Sequence, residues 1–397
     1  MKSSKEGEMK KAVILSAART PVARMGGGFK KLEGYQLGAI AVKEAVKRSG
    51  VNPEEIVEVY MGNAEGAPGN LGRCVALEAG LPQSVPGIQL DRQCASGLEA
   101  INFASAMVES GHGDVYVAGG AESQSNNPYF MTKPKRAYSY AYPGFFYVMM
   151  VPPGYEGNDM GETAEKVLDM YPDITREEMD KFAYESHRKA KKAIESGVFK
   201  EQIVPVTFKE RGKEITVDTD DDPTADSTLE SLAKARAVFR KDGRVTAGNS
   251  CPQNDAAAAV VVTSEEKAKE LDRKPLLEVV DFTSAGLDPA VMGLGPIYAV
   301  RKLLDKTGIS LDEIELIELN EAFASQSIAC IRELGLDPAR VNPNGGAIAL
   351  GHPLGATGAF LTTKAAYAMQ NAERDYCIVT MCVGGGEGSA TLFKKYK

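Results

Sequence analysis

Glu55-Ile56-Val57-Glu58-Val59-Tyr60-Met61 is echoed 258 residues downstream by Glu313-Ile314-Glu315-Leu316-Ile317-Glu318-Leu319. An offset as long as a domain points to a duplicated unit, although for seven residues alone the chance likeness of two β-strands is the alternative. Under the same offset Cys94 falls on His352, and Gly119-Gly120-Ala121-Glu122 precedes Gly384-Gly385-Gly386-Glu387 by 265 residues. Three matches in one order favour duplication. A duplicated domain would bring such equivalent elbows to a shared centre.

Outward from this repeat, short apolar strands alternate with amphipathic helical stretches, the pattern of an α/β protein with mainly parallel sheets. Residues 11–17, 57–62 and 115–119 read as strands. Leu37, Ile40, Ala41, Ala45 and Val46 share one face of a helix over 37–48, and Gly50 supplies its stop. Between the halves, residues 123–244 carry Pro, Asp and Lys clusters, including 218–222, and read as an inserted loop lobe. Its start packs Tyr129, Phe130, Tyr138, Tyr140, Tyr142, Phe145, Phe146 and Tyr147 into nineteen residues, against 7% aromatics overall. Such an enrichment is either a pocket wall or an oligomer contact. The expected division is 11–122 plus 245–273 for the first half, 123–244 for the lobe and 274–397 for the second half.

A chain of 397 residues has room for several cores, and 43% hydrophobic with 25% charged residues is an ordinary globular composition. The net charge of −8 argues against nucleic acid as a partner, because that task needs a concentrated positive field. The longest apolar stretch, Phe145 to Val151, is seven residues and is closed by Pro152-Pro153, against the ~20 a membrane helix requires. The N-terminal run 12–18 is broken by Arg19 and Pro21 and reads as a strand, so the expected compartment is the cytoplasm. Six cysteines without a Cys-x-x-Cys, beside three histidines, make neither a disulfide framework nor an evident zinc site. A special cysteine is therefore special as a thiol.

Asp91-Arg92-Gln93-Cys94-Ala95-Ser96-Gly97 follows an apolar strand and precedes a helix with Leu98, Ile101, Ala104, Met107 and Val108 at helical spacing. Cys94 thus sits at a strand-to-helix elbow, where the helix dipole and free N–H groups favour thiolate; the plain alternative is a small buried hydrophobe. Residues 344–358, Asn-Gly-Gly-Ala-Ile-Ala-Leu-Gly-His-Pro-Leu-Gly-Ala-Thr-Gly, hold glycines too dense for packing alone, and His352 is the one histidine in such a setting. His112 and His187 lie in polar segments expected to be exposed. Ile378 to Met381 reads as a buried strand delivering a second thiol, Cys382, into Val383-Gly384-Gly385-Gly386. Asn320 closes the strand 316–319, at the end of a strand where α/β sites assemble, or serves only as an N-cap.

Taken together, Cys94 in Cys-Ala-Ser-Gly, Asn320-Glu321-Ala322-Phe323, Gly351-His352-Pro353 and Cys382-Val383-Gly384-Gly385-Gly386 resemble the thiolase family. Weaker likeness extends over 17–21, Ala118-Gly119-Gly120 with Glu122, 160–165 and Thr246-Ala247-Gly248-Asn249. The resemblance implies a duplicated five-layered αβαβα fold with an inserted lobe, an acyltransferase activity, and coenzyme A as a substrate with no permanently bound cofactor. It implies that Cys94 attacks a 3-oxoacyl-CoA and holds the acyl group as a thioester, with His352 taking its proton. Cys382 would exchange a proton at the α-carbon of acetyl-CoA. One oxyanion would rest on His352 and a water held by Asn320, the other on the N–H groups of Cys94 and Gly384. Coenzyme contacts would fall on Met160, Ser231, Ala247, Gly248 and Cys251. A homodimer or homotetramer follows from the same resemblance, and the sequence does not say whether a second polypeptide is required.

The chemistry independently asks for this equipment: cleaving a carbon–carbon bond β to a carbonyl releases an enolate, so nucleophile, acid/base and two oxyanion sites are needed. Departures from the family pattern fall on the substrate grip. Asp159 stands where acetoacetyl-specific relatives carry histidine, Cys251 replaces a serine, and Thr224 aligns with an arginine. With the aromatic cluster, Asp159 points to bulky or aromatic acyl groups, the alternative being an acetoacetyl-CoA thiolase. A decarboxylating ketoacyl synthase would not need Cys382. A non-catalytic acyl-CoA or lipid-binding relative would be expected to lose one of the four catalytic positions, and none is lost.

Overall fold

The computed structural model describes residues 9–66, 69–136, 138, 142–221 and 227–397. Tyr140, Asp222 and Thr224 lie outside them. Nine strands form the central framework: β1 (Ala12–Arg19), β2 (Glu58–Gly62), β3 (Gly87–Leu90), β4 (Val115–Ser123), β5 (Asn254–Ser264), β6 (Leu277–Gly286), β7 (Ile314–Leu319), β8 (Tyr376–Val383) and β9 (Glu387–Lys395). They follow the order β7-β8-β9-β6-β1-β5-β4-β2-β3. The strands of the two halves join where β1 and β6 pair, at Val13 with Glu278 and Ile14 with Leu277.

The expectation of mainly parallel sheets is corrected. Pairing is parallel in β2 with β3, β2 with β4, and β7 with β8, but antiparallel across β4–β5, β5–β1, β6–β9 and β8–β9. Each half therefore joins a parallel α/β unit to antiparallel strands.

Helices α1 (Gly34–Ser49), α2 (Leu71–Glu78), α3 (Ser96–Glu109), α4 (Met160–Met170), α5 (Arg176–Glu195), α6 (Leu229–Ala233), α7 (Gly295–Thr307), α8 (Ala324–Leu334) and α9 (Leu354–Ala368) cover and fill this framework. The period of two in β5 shows how the layers arise. Ala256, Ala258, Val260 and Val262 pack with Leu98 and Ile101 of α3 and Ala359 and Phe360 of α9. The intervening Ala257, Ala259 and Val261 pack with α1 and α2. A slip of one residue would exchange these faces, so the apolar run fixes the register. In the second half Val379 and Met381 of β8 join the α3–α9 core, whereas Ile378 and Cys382 face α7 and α8. The result is helix, sheet, helix, sheet, helix: the five-layered duplicated α/β fold.

The repeat is visible in the fold. α3 begins at Ser96 and α9 at Leu354, 258 residues apart, and each starts two residues after Cys94 or His352. Val59 pairs in parallel with Gly87, and at the repeat position Ile317 forms a parallel bridge to Val341. The two central helices meet backbone to backbone: a Cβ on Gly97 would lie 2.6 Å from the Gly355 carbonyl, and one on Gly358 would strike the backbone of Leu98. Only glycine permits that approach, and it draws the two elbows together.

The lobe segment is less separate than its composition suggests. Ala164, Val167 and Leu168 of α4 and Met179 and Ala183 of α5 belong to the same core as α7 and α8. Among the described aromatic residues at its start, Tyr129 is 90%, Tyr142 96% and Tyr147 95% exposed. Among the described residues no helix is long and apolar enough to cross a membrane.

Candidate active site

The Cys94 elbow is built by a local hydrogen-bond knot. Asp91 accepts from the Gln93 N–H at 2.8 Å, the Ser96 hydroxyl donates to the Gln93 carbonyl at 2.6 Å, and the Arg92 N–H donates to that hydroxyl at 2.9 Å. Gln93 is held at φ 45°, a left-handed conformation that a non-glycine residue adopts at a cost, immediately before the nucleophile candidate. The Gly384 backbone N–H, from the loop that follows Cys382, lies near enough to Cys94 to favour its thiolate. Cys94, Cys251 and Cys382 are close enough to influence one another electrostatically.

Burial pushes the Cys94 thiol up to about 11, and the N–H groups of Gly384 and Cys94 itself lower it by less. The expected bias towards thiolate is thus reversed: desolvation outweighs the helix N-terminus. Cys382 is likewise pushed up, first by burial and then by its neighbouring thiols, and Cys251 rises to about 12 for the same first reason.

His352 is buried and held down to about 4 by desolvation, so it is a neutral imidazole at neutral pH. Its Nδ1 lies 2.7 Å from the Thr357 hydroxyl, one turn into α9, and its backbone N–H donates to Asn254 Oδ1 at 2.9 Å. Gly351 takes φ 98°, and a Cβ there would strike the Asn254 side chain. The Asn320 amide nitrogen stands 3.4 Å from His352 Nε2, and Asn320 Oδ1 is buried without a partner among the described residues. Asn320 is no N-cap, since α8 starts four residues later with Phe323 in the capping position. Of the other histidines, His112 is exposed, whereas His187 is half-buried and pushed down to about 4 by desolvation, contrary to its expected exposure.

Residues 250–253 form a strap across both loops. Ser250 bridges Phe323, the Cys251 N–H donates to the Ala322 carbonyl at 3.0 Å, and Gln253 bridges His352. The strap begins at the surface with Ala247 and Gly248, where a Cβ on Gly248 would lie 2.6 Å from Leu232 of α6, next to Ser231. Ser231, Ala247, Gly248 and Cys251 therefore trace one path from the surface to the buried thiols. Met160, first in α4, points its sulfur at Gly384, 3.7 Å from where a Cβ would stand, and Met150 is closer at 2.7 Å. Asp159 is the N-cap of α4, accepting from the Glu162 N–H at 3.1 Å. A polar cavity of about 310 Å³ opens beside this group, lined by Arg92, Gln93, Met150, Gly384 and Glu387. Among the described residues no cluster of three His, Cys, Asp or Glu could hold a metal ion.

Thr357, Asn254 and Met150 were not legible as site residues. Thr357 lies five residues past His352 within an ordinary helical run, and Asn254 is 98 residues away in sequence. Neither pattern carries a signal before the chain is folded.

Residues 12–266 match the family model of the thiolase N-terminal domain, and residues 273–395 match that of the thiolase C-terminal domain. The chain belongs to the thiolase family, and it is an acyltransferase with thiolase function. It is 44% identical to an acetyl-CoA acetyltransferase of Syntrophomonas wolfei, over 96% of this chain and 98% of that one. It is 41% identical to a beta-ketoadipyl-CoA thiolase of Acinetobacter baylyi, over 98% of this chain and 100% of the other. The crystal structure of the Bacillus anthracis acetyl-CoA acetyltransferase superposes with a TM-score of 0.93 at 42% identity, covering 98% of this chain and 99% of that one.

Proposed function

We propose that this thiolase cleaves a 3-oxoacyl-CoA with coenzyme A, or runs the reverse Claisen condensation, through an acyl thioester on Cys94. Neutral His352 accepts the thiol proton as the Cys94 sulfur attacks the 3-oxo carbon. The carbon–carbon bond then breaks, its electron pair forms the enolate of acetyl-CoA, and Cys382 protonates the α-carbon. Coenzyme A gives its thiol proton to the Cys382 thiolate and its sulfur attacks the thioester; the bond to Cys94 breaks, Cys94 takes its proton back from His352, and the shortened acyl-CoA is released. The N–H groups of Cys94 and Gly384 serve one oxyanion; His352 and Asn320, through a water, serve the other.

The observation that carries this reading is that Gln93, next to Cys94, and Val383 and Gly384, just past Cys382, line one cavity, so the loops of both thiols meet there. A high thiol pKa beside a low imidazole pKa fits proton transfer on attack rather than a resident ion pair. Met160, Ser231, Ala247, Gly248 and Cys251 are proposed to hold the coenzyme along the strap, with no permanent cofactor. The relatives named above differ in their acyl groups, which supports the reaction class across acyl chains.

The exposed rings of 129–147 favour the subunit-contact reading of that segment, and with it a homo-oligomer. The bulky or aromatic acyl preference then rests on Asp159 alone, and acetoacetyl-CoA is the competing substrate. Mass spectrometry after incubation with acetyl-CoA is expected to find acetyl on the Cys94 peptide. An adduct on Cys382 in its place would overturn the assignment, and kcat/KM for acetoacetyl-CoA against a bulky 3-oxoacyl-CoA decides the acyl preference.

A further inference from the structure

We propose that Lys364 is a positioning residue for the Asn320–His352 pair, an inference that rests on the roles proposed above for those two groups. Lys364 lies in α9, three turns beyond His352, and its side chain is fully buried. Its ammonium donates to Glu318 Oε2 at 2.7 Å and to the Gly345 carbonyl at 2.6 Å, and stands 5.8 Å from the centre of the Phe360 ring. One cation thus holds two separate segments.

Each segment leads to one member of the pair. Glu318 lies in β7, on the same face as Leu316 and two residues before Asn320, so fixing Glu318 fixes the strand end that presents the amide. Gly345 opens the glycine-rich loop at φ 81°, and a Cβ there would lie 2.6 Å from Ala190. From Gly345 the chain runs through the short helix Ala347–Leu350 into Gly351 and His352. A shift of the Gly345 carbonyl is carried through that turn to the imidazole. The pair it feeds is already long at 3.4 Å, so a small further displacement removes the contact.

Stability alone is a poor account of this arrangement. A buried ion pair is often replaced by apolar residues at no loss of stability. Glu318 Oε1 moreover lacks a partner among the described residues, so the pair is not optimised for its own satisfaction. The bond to Gly345 is the part that an apolar core could not supply.

The test sets hydrogen bonds against stability. Glu318→Leu with Lys364→Met removes both charges and both tethers; it is expected to keep the native Tm or exceed it, while kcat for thiolysis falls ~10- to 100-fold and KM for coenzyme A holds. Glu318→Gln keeps both acceptors for Lys364 and loses only the counter-charge; it is expected to lower Tm but to retain most of kcat. Should kcat track Tm in either variant, the role is merely structural and the proposal is overturned, so an unfolded double variant still leaves Glu318→Gln to decide. A native protein without thiolase activity, or an active His352→Ala, would instead overturn the underlying reading of the site.

Discussion

The amide nitrogen of Asn320 contacts His352 Nε2 at 3.4 Å, while among the described residues its oxygen is buried without a partner. A free acceptor beside the imidazole suits a water that donates to it and turns its other hydrogen to a developing oxyanion. Asn320→Ala is expected to lower kcat by ~10²-fold with the fold intact, the scale of losing one oxyanion donor. A kcat within a few fold of native would remove Asn320 from the site.

Burial gives the protein two opposed pH dependences. His352 falls to about 4 in the fold, so the unfolded chain binds more protons between there and 6.5, and stability is lost as pH falls through that window. Glu122 rises to about 7, chiefly by burial and against the N–H groups of Ala64 and Gly355, so stability is lost as pH rises from 4.5 towards 7. His352→Asn is therefore expected to reduce the drop in Tm between pH 6.5 and 4.5, and Glu122→Gln to enlarge it. Thermal melts across that range check both signs, and like-signed changes would contradict the assignment.

Cys94 should react as a high-pKa thiol. With the group at about 11, alkylation by iodoacetamide is expected to climb nearly tenfold per pH unit from pH 7 to 10 in the free enzyme. A plateau near neutrality, followed by mass spectrometry of the Cys94 peptide, would show a resident thiolate and return the elbow to its sequence-based reading.

That reversal marks where sequence reasoning stopped. The elbows of Cys94 and His352 were readable because strand, glycine and helix signals are local and recur at one offset. Strand direction was not, since the antiparallel pairing of β1, β5, β6 and β9 depends on contacts distant in sequence. The same holds for desolvation: Cys94 meets a favourable helix N-terminus locally, but the opposing burial comes from packing by residues distant in sequence. Glu318 and Lys364 lie 46 residues apart in sequence with nothing local to link them, and only packing shows both fully buried and paired.

Cys382 lies at the end of β8 and its side chain packs against the second half's core, while the next glycine reaches Cys94. Cys382→Ser is expected to cut carbon–carbon bond formation by ~10²- to 10⁴-fold yet spare acyl transfer to Cys94 far more, because only the first step moves the α-proton. Single-turnover acetylation measured beside steady-state condensation separates the steps. Equal losses in both would deny Cys382 its separate task.

The exposed rings of the lobe make the last prediction. Tyr142 and Tyr147 lie almost wholly in solvent beside Phe145, which is 75% exposed, so the segment presents a contiguous apolar surface outside the site. Exposed apolar surfaces of that kind mark contacts, and aromatic residues are enriched at the centres of such contacts. Burying ~300 Å² of apolar area at ~25 cal/mol per Å² supplies about 7 kcal/mol before ordering costs, enough for such contacts to hold subunits together when several copies combine. Tyr142→Ser with Tyr147→Ser is expected to shift light scattering at micromolar concentration to a smaller species, with kcat/KM for bulky and four-carbon substrates moving in parallel. A selective loss for the bulky substrate, with the native oligomer intact, would place these rings at the acyl pocket instead.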